Sequence, residues 1–182
     1  MQIAIVLFDR FTALDVVGPY DVLSHLPKAE TVLVAERPGP VGNEVGSLRL
    51  LAEAGFDDVP APDVIVVPGG PGWHAQLASK PLLGWLRDAD RHSTWTASVC
   101  TGSLLLAAAG LLNGRKAATH WLAAEELAPL GATHVPERVV TDGKYVTAAG
   151  VSAGLDMALT LAGRIAGDGV AQAIQLAHEY EP

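Results

Sequence analysis

Cysteine is almost missing from this chain: its 182 residues contain one, Cys100. An internal disulfide framework is thereby excluded, and a reducing cytoplasm is the expected compartment. Apolar residues make up 49% of the sequence, yet Pro and Gly divide them into short bursts. No uninterrupted run reaches the roughly 18 residues needed to cross a bilayer, so a soluble protein with no membrane partner is expected. No basic region precedes the first apolar burst, residues 2–8, and no secretory signal is read there. Twelve Lys and Arg stand against 20 Asp and Glu, a net charge of −8 with no basic cluster. That balance argues against nucleic acid as a partner. The six histidines, at 25, 74, 92, 120, 134 and 178, form no His-x-x-x-His spacing, and no Gly-x-Gly-x-x-Gly motif follows a strand. No metal and no cofactor are expected.

What is present is an alternation of short apolar strands and helices. Strands are expected at 3–8, 31–35, 63–67 and 95–99, with helices at 16–23, 81–90 and 104–112. A Gly/Pro-rich loop covers 37–46, and 47–51 is a short edge strand. Residues 115–119 form a brief strand and 121–127 a helix. Asp142-Gly143, between two β-branched runs, predicts a hairpin with a type I′ turn. Helices at 154–165 and 169–180 complete the chain. With no repeat and no linker, residues 1–182 read as one domain, an α/β fold with a mostly parallel sheet and helices on both faces.

The chemistry is expected at Ser98-Val99-Cys100-Thr101-Gly102-Ser103, where a strand turns sharply into an apolar helix. A nucleophile at such an elbow is held exposed. A helix N-terminus would also favour the thiolate and lower its pKa. The alternative is a plain core cysteine, since free cysteine is among the most buried residue types. Two further features lie at strand ends: Asp15 after the first strand, and Gly69-Gly70 within Pro68-Gly69-Gly70-Pro71-Gly72 after the 63–67 strand. In open parallel sheets ligands bind beyond the carboxyl ends of the strands, and this convergence favours a reactive Cys100. Each residue also has a plainer reading. Asp15 suits a helix N-cap, Gly70 a turn and Thr101 a helix start; His120 suits a structural role, and Trp73, Trp85, Trp95 and Trp121 suit packing.

Four stretches together resemble the ThiJ/PfpI superfamily: Leu14-Asp15-Val16-Val17-Gly18-Pro19, Val67-Pro68-Gly69-Gly70, Ser98-Val99-Cys100-Thr101-Gly102 and Thr119-His120-Trp121. That superfamily has a class I glutamine-amidotransferase-like, flavodoxin-like three-layer sandwich with a nucleophile-elbow cysteine. The isocyanide hydratase branch is the nearest resemblance, and sensor halves of AraC-type regulators carry similar motifs. The resemblance implies Cys100 as nucleophile, Asp15 as its acid/base partner and Thr101 in a positioning role. It further implies that Gly70 and Thr101 amides stabilise an anion, with Gly69 and His120 lining the substrate pocket. It also implies a homodimer acting on a small-molecule substrate.

Two departures narrow the activity. PfpI-type peptidases carry a histidine directly after the cysteine, where this chain has Thr101, so the Cys-His dyad for amide hydrolysis is missing. The parkinsonism-associated deglycases use a glutamate where this chain has the shorter Asp15. Several isocyanide hydratases also continue beyond the point matching residue 182, and contacts from such an extension are not expected here. The expected activity is hydration of small isocyanides to N-substituted formamides. The alternatives are a cysteine-oxidation or ligand sensor, and a glyoxalase or deglycase acting on α-oxoaldehydes. A DNA-binding role is disfavoured, because no helix-turn-helix follows.

Overall fold

The first apolar burst forms β1 (Gln2–Val6), whose last four residues are buried. The computed structural model describes residues 1–181; Pro182, the end of the expected domain, lies outside them. Next come α1 (Ala13–Ser24) and β2 (Glu30–Ala35), which pairs parallel with β1. The Gly/Pro-rich stretch is not simply a loop. It contributes β3 (Gly39–Gly42), antiparallel to β4 (Arg49–Ala52) in a two-stranded sheet of its own. The edge strand expected at 47–51 is therefore half of a separate ribbon, where Pro40 is tolerated because a ribbon leaves one edge of each strand unpaired. The main sheet's edge is instead the two-residue β5 (Ala54–Gly55).

Fully buried β6 (Val64–Val67) follows, as the apolar run predicts. A short α2 (Trp73–Gln76) and α3 (Lys80–Asp90) lead to β7 (Trp95–Val99). The apolar helix is shorter than expected, α4 (Gly102–Ala108), because Gly110 at φ 82° takes a left-handed turn beyond it. The strands β8 (Lys116–Ala117) and β9 (Thr133–His134) form a second small ribbon, and the helix between them, Trp121–Glu126, is of the 3₁₀ type.

The hairpin is present as β10 (Val139–Asp142) and β11 (Tyr145–Ala148), but its turn is shifted. Asp142 pairs with Tyr145, leaving Gly143-Lys144 as the two loop residues. Gly143 has φ 64° and Lys144 has no positive φ, the pattern of a type II′ turn rather than the expected type I′. Two helices finish the chain, α5 (Ala153–Ala166) and α6 (Asp168–Ala177).

The seven-stranded sheet runs β10-β11-β7-β6-β1-β2-β5, parallel except for β10. Helices α1, α5 and α6 form one covering layer and α2, α3 and α4 the other. From β1 the chain first moves outward to β2 and later returns on the other side as β6. Connections after β1 and β6 therefore diverge at the carboxyl edge and leave a crevice, the switch point of flavodoxin-like sheets. Asp15, Gly69 and Cys100 all follow strands that end there.

Candidate active site

Cys100 occupies the turn between β7 and α4 with φ 57°, a left-handed conformation that costs a non-glycine residue about 1–2 kcal/mol. The surroundings hold it there. Its N–H is shared between the carbonyls of Ala148 at 3.1 Å and Ala149 at 2.8 Å. Its carbonyl accepts from Thr119 Oγ1 at 3.0 Å and Ser103 Oγ at 3.2 Å. Small neighbours make the bend possible. A Cβ on Gly102 would lie 2.1 Å from the Val67 carbonyl oxygen, and one on Gly69 would lie 2.5 Å from Thr101 N and 2.8 Å from Cys100 Cβ. The Pro68-Gly69-Gly70 loop can thus press directly on the elbow.

Asp15 lies in the first turn of α1 and is completely buried. It is not the N-cap; Thr12 holds that position and donates its hydroxyl to Glu44 Oε2 at 2.6 Å. Asp15 Oδ2 accepts from Gly69 N at 2.8 Å. Its other oxygen, Oδ1, meets no donor of ordinary hydrogen-bond geometry. Burial pushes the Asp15 carboxyl up to about 7; the Gly69 amide and the Cys100 thiol act against that shift, and the Glu44 charge adds to it.

The Cys100 thiol departs from expectation. Amides of Thr101 and Val151 and the Thr101 side chain do favour its thiolate, but burial and then the Asp15 charge outweigh them and push it up to about 12. Carboxyl and thiol act as one coupled acid: the first proton leaves near neutrality, the second far above it, and the pair carries a single negative charge between.

A cavity of about 380 Å³ opens beside Cys100, with Gly70, Thr101 and His120 in its lining. Gly70 lines it, but its N–H is already donated to Thr101 Oγ1 at 3.0 Å, so it fixes Thr101 rather than offering a free donor. Gly69, with its N–H on Asp15, serves the acid in the same way. His120 accepts from Leu122 N through Nδ1 at 3.3 Å, and its ring fills the space a Cβ on Gly150 would need. It both caps the following turn and faces the cavity.

Sequence reasoning missed much of the rest of this wall, which includes Glu44, Trp73, His74, Leu122, Ala123 and Glu126. Glu44 sits in the turn joining β3 to β4, within the stretch that composition marked as loop. Trp73 is buried as expected, whereas Trp121 is 75% exposed and does not pack in the core. No group of three metal-ligating side chains lies on this wall among the described residues. A larger cavity of about 450 Å³, lined by Phe8, Arg37 and Phe56 among others, does not include the cysteine.

A mostly parallel sheet with a cysteine elbow after a central strand, and a buried acid from the first helix beside it, defines a class of α/β proteins organised around one thiol. This chain belongs to the DJ-1/PfpI family, whose model matches residues 1–164. It is 44% identical over 182 residues to the isonitrile hydratase of Pseudomonas putida, covering 100% of this chain and 79% of that protein. A ThiJ/PfpI family protein from Pseudomonas syringae superposes with a TM-score of 0.96 at 36% identity, over 100% of this chain and 75% of that one. The HTH-type transcriptional regulator GbdR of Pseudomonas aeruginosa is 34% identical over 136 residues, 74% of this chain but 37% of the regulator. The resemblance read from four short motifs therefore holds along the chain.

Proposed function

We propose that the protein hydrates small isocyanides to N-substituted formamides. The observation that carries the chemistry is the wholly buried Asp15 carboxyl, with one oxygen lacking a donor, beside the only thiol; that burial pushes its pKa up to about 7. A group with that pKa can give a proton and take one back at neutral pH. The substrate class follows from the 44% identity to an isonitrile hydratase along the full chain.

In the first step Cys100 sulfur bonds to the terminal carbon of the isocyanide, and the proton shared with Asp15 moves to that same carbon. The product is a covalent thioimidate. Asp15, now a carboxylate, takes a proton from water as the water oxygen bonds to the thioimidate carbon, and passes it to nitrogen. The carbon–sulfur bond then breaks as the carbonyl forms, and the hydroxyl proton returns to the Asp15–Cys100 pair. One water is consumed and the enzyme ends as it began. Thr101 N–H, directed at the sulfur, steadies its charge whenever sulfur is the leaving group.

The test is incubation with an alkyl and an aryl isocyanide, following the formamide by NMR beside a known hydratase. Absence of turnover under conditions where the known enzyme works would remove this reading. Methylglyoxal consumption without isocyanide turnover would replace it with a glyoxalase. A gain of two oxygens on Cys100 under mild peroxide, again without turnover, would replace it with a sensor.

The cytoplasm is the compartment that keeps such a thiol reduced. No helix among the described residues is long and apolar enough to cross a membrane. We propose a homodimer as the working form, supported by the half-exposed apolar side chains Leu14, Val17 and Tyr20 along α1. A monomeric mass by light scattering would remove that part of the reading.

A further inference from the structure

At the far end of α1 from Asp15, and independent of the hydratase reading, Asp21 and His25 meet His178, the residue that ends α6. One carboxylate oxygen and one ring nitrogen from each histidine lie within 4.8 Å of one another. The tautomers of both rings are fixed. His25 Nδ1 faces the Asp21 carbonyl oxygen at 2.6 Å, and His178 Nδ1 faces that of Ile174 at 2.7 Å. A carbonyl only accepts, so each Nδ1 carries the hydrogen and each neutral ring presents a bare lone pair at Nε2. His178 Nε2 nevertheless sits 2.9 Å from Asp21 Oδ2. Two acceptors at that distance require a cation between them, either a proton on His178 or a metal ion.

We propose that Asp21, His25 and His178 bind a divalent ion of the zinc type. Two features favour the metal over the proton. A third donor, His25, stands edge-to-face against His178 with ring centroids 5.3 Å apart, and a simple ion pair has no use for it. Both histidines also have the arrangement common to metal ligands, in which one ring nitrogen is anchored to a backbone carbonyl so that the other is aimed. Imidazole and carboxylate donors suit Zn²⁺, Ni²⁺ or Cu²⁺ rather than Mg²⁺. Around bonds of about 2.0–2.2 Å the donors of one ion stand roughly 3.3 Å apart, so the His178–Asp21 pair at 2.9 Å opens slightly while His25 draws in. The two side chains that must adjust, Asp21 and His25, are exposed. The remaining coordination positions face water. Such an ion would join the end of α1 to the end of α6, which come from opposite ends of the chain.

The test is titration of the full chain with Zn²⁺, followed by thermal denaturation, and with Co²⁺, followed by its visible absorption bands. The expected result is one equivalent bound, a saturable rise in melting temperature, and no rise with Mg²⁺. His25→Gln and His178→Gln should each weaken binding by about tenfold or more while leaving the metal-free melting temperature nearly unchanged. Cys100→Ser should bind as the parent does. The proposal is overturned if no saturable site is found, if Mg²⁺ acts equally, or if both histidine variants bind like the parent. It is also overturned if Cys100→Ser alone abolishes binding, which would put the ion at the elbow.

Discussion

Asp15 and Asp90 are both buried aspartates, with 0% and 7% exposure, and they stand at opposite ends of β7. At the amino end, Asp90 is surrounded by donors. It accepts from Thr96 Oγ1 at 2.6 Å and Tyr145 Oη at 2.9 Å, and pairs with Lys144 Nζ at 3.0 Å. At the carboxyl end, Asp15 has one backbone amide, an empty oxygen, the Glu44 charge nearby and a thiol for company. The same side chain, set by a helix beside the same strand, is a tie in one place and a reagent in the other. Donor supply makes the difference: a satisfied charge fixes its neighbours, whereas a starved one holds a proton it can release.

The sharpest way to break the reactive end is to remove its nucleophile. Cys100→Ser is expected to lower isocyanide turnover by at least about a thousandfold with the fold retained, checked by formamide production and circular dichroism. Asp15→Asn comes next, with a fall in kcat of about a hundredfold to a thousandfold. It should also change stability in the opposite sense. Asp15 is raised in the folded protein from 3.8 to about 7, so between these values the folded state binds more protons than the unfolded state. The contribution of Asp15 to stability should therefore be greatest below about pH 4, fall as pH rises through that window and level off above about pH 7. The loss is up to about 4 kcal/mol. Denaturant titrations across pH should show this slope in the difference between the parent and Asp15→Asn.

Asp90→Asn should do the reverse of Asp15→Asn. It removes the charge that pairs with Lys144 and puts an amide donor in place of one carboxylate oxygen, facing Thr96 or the Tyr145–Lys144 pair, and is expected to cost about 3 kcal/mol of stability with kcat essentially unchanged. A large loss of kcat at full stability would end the contrast between the two aspartates. The mildest effect belongs to Thr101→Val, which removes the acceptor for Gly70 N–H. A fall in kcat of about tenfold, with KM unchanged and a stability loss of about 1 kcal/mol, is the expected result.

What could be read from the sequence was local. The strand at Val64–Val67 is an uninterrupted apolar run, and its burial on both faces is what such a run encodes; Trp95–Val99 is uncharged and rich in β-branched and small residues, and all but Trp95 are buried. Cys100 was legible because a strand-to-helix turn with flanking small residues is a local pattern. Asp15 was visible as a residue but its burial was not, since that depends on Gly69, which lies 54 positions away in the chain. The β3–β4 ribbon was hidden because its pairing overrides a composition that otherwise favours loops, and with it went Glu44. The hairpin was recognised, yet its register moved by one residue, because pairing of Asp142 with Tyr145 fixed the turn instead of the Asp-Gly dipeptide. His25 and His178 looked scattered, since only the packing of the last helix near the first brings them together.

The wall around Cys100 carries two carboxylates, Glu44 and Glu126, and no lysine or arginine among its lining residues. Like-charge repulsion across so short a span, in a chain already carrying a net charge of −8, makes the entrance unfavourable for phosphate esters and organic acids. Uncharged molecules meet no such barrier. The doorway therefore sorts visitors by charge before the sulfur sorts them by reactivity, and a weakly polar compound can find the chamber vacant even when dissolved anions vastly outnumber it.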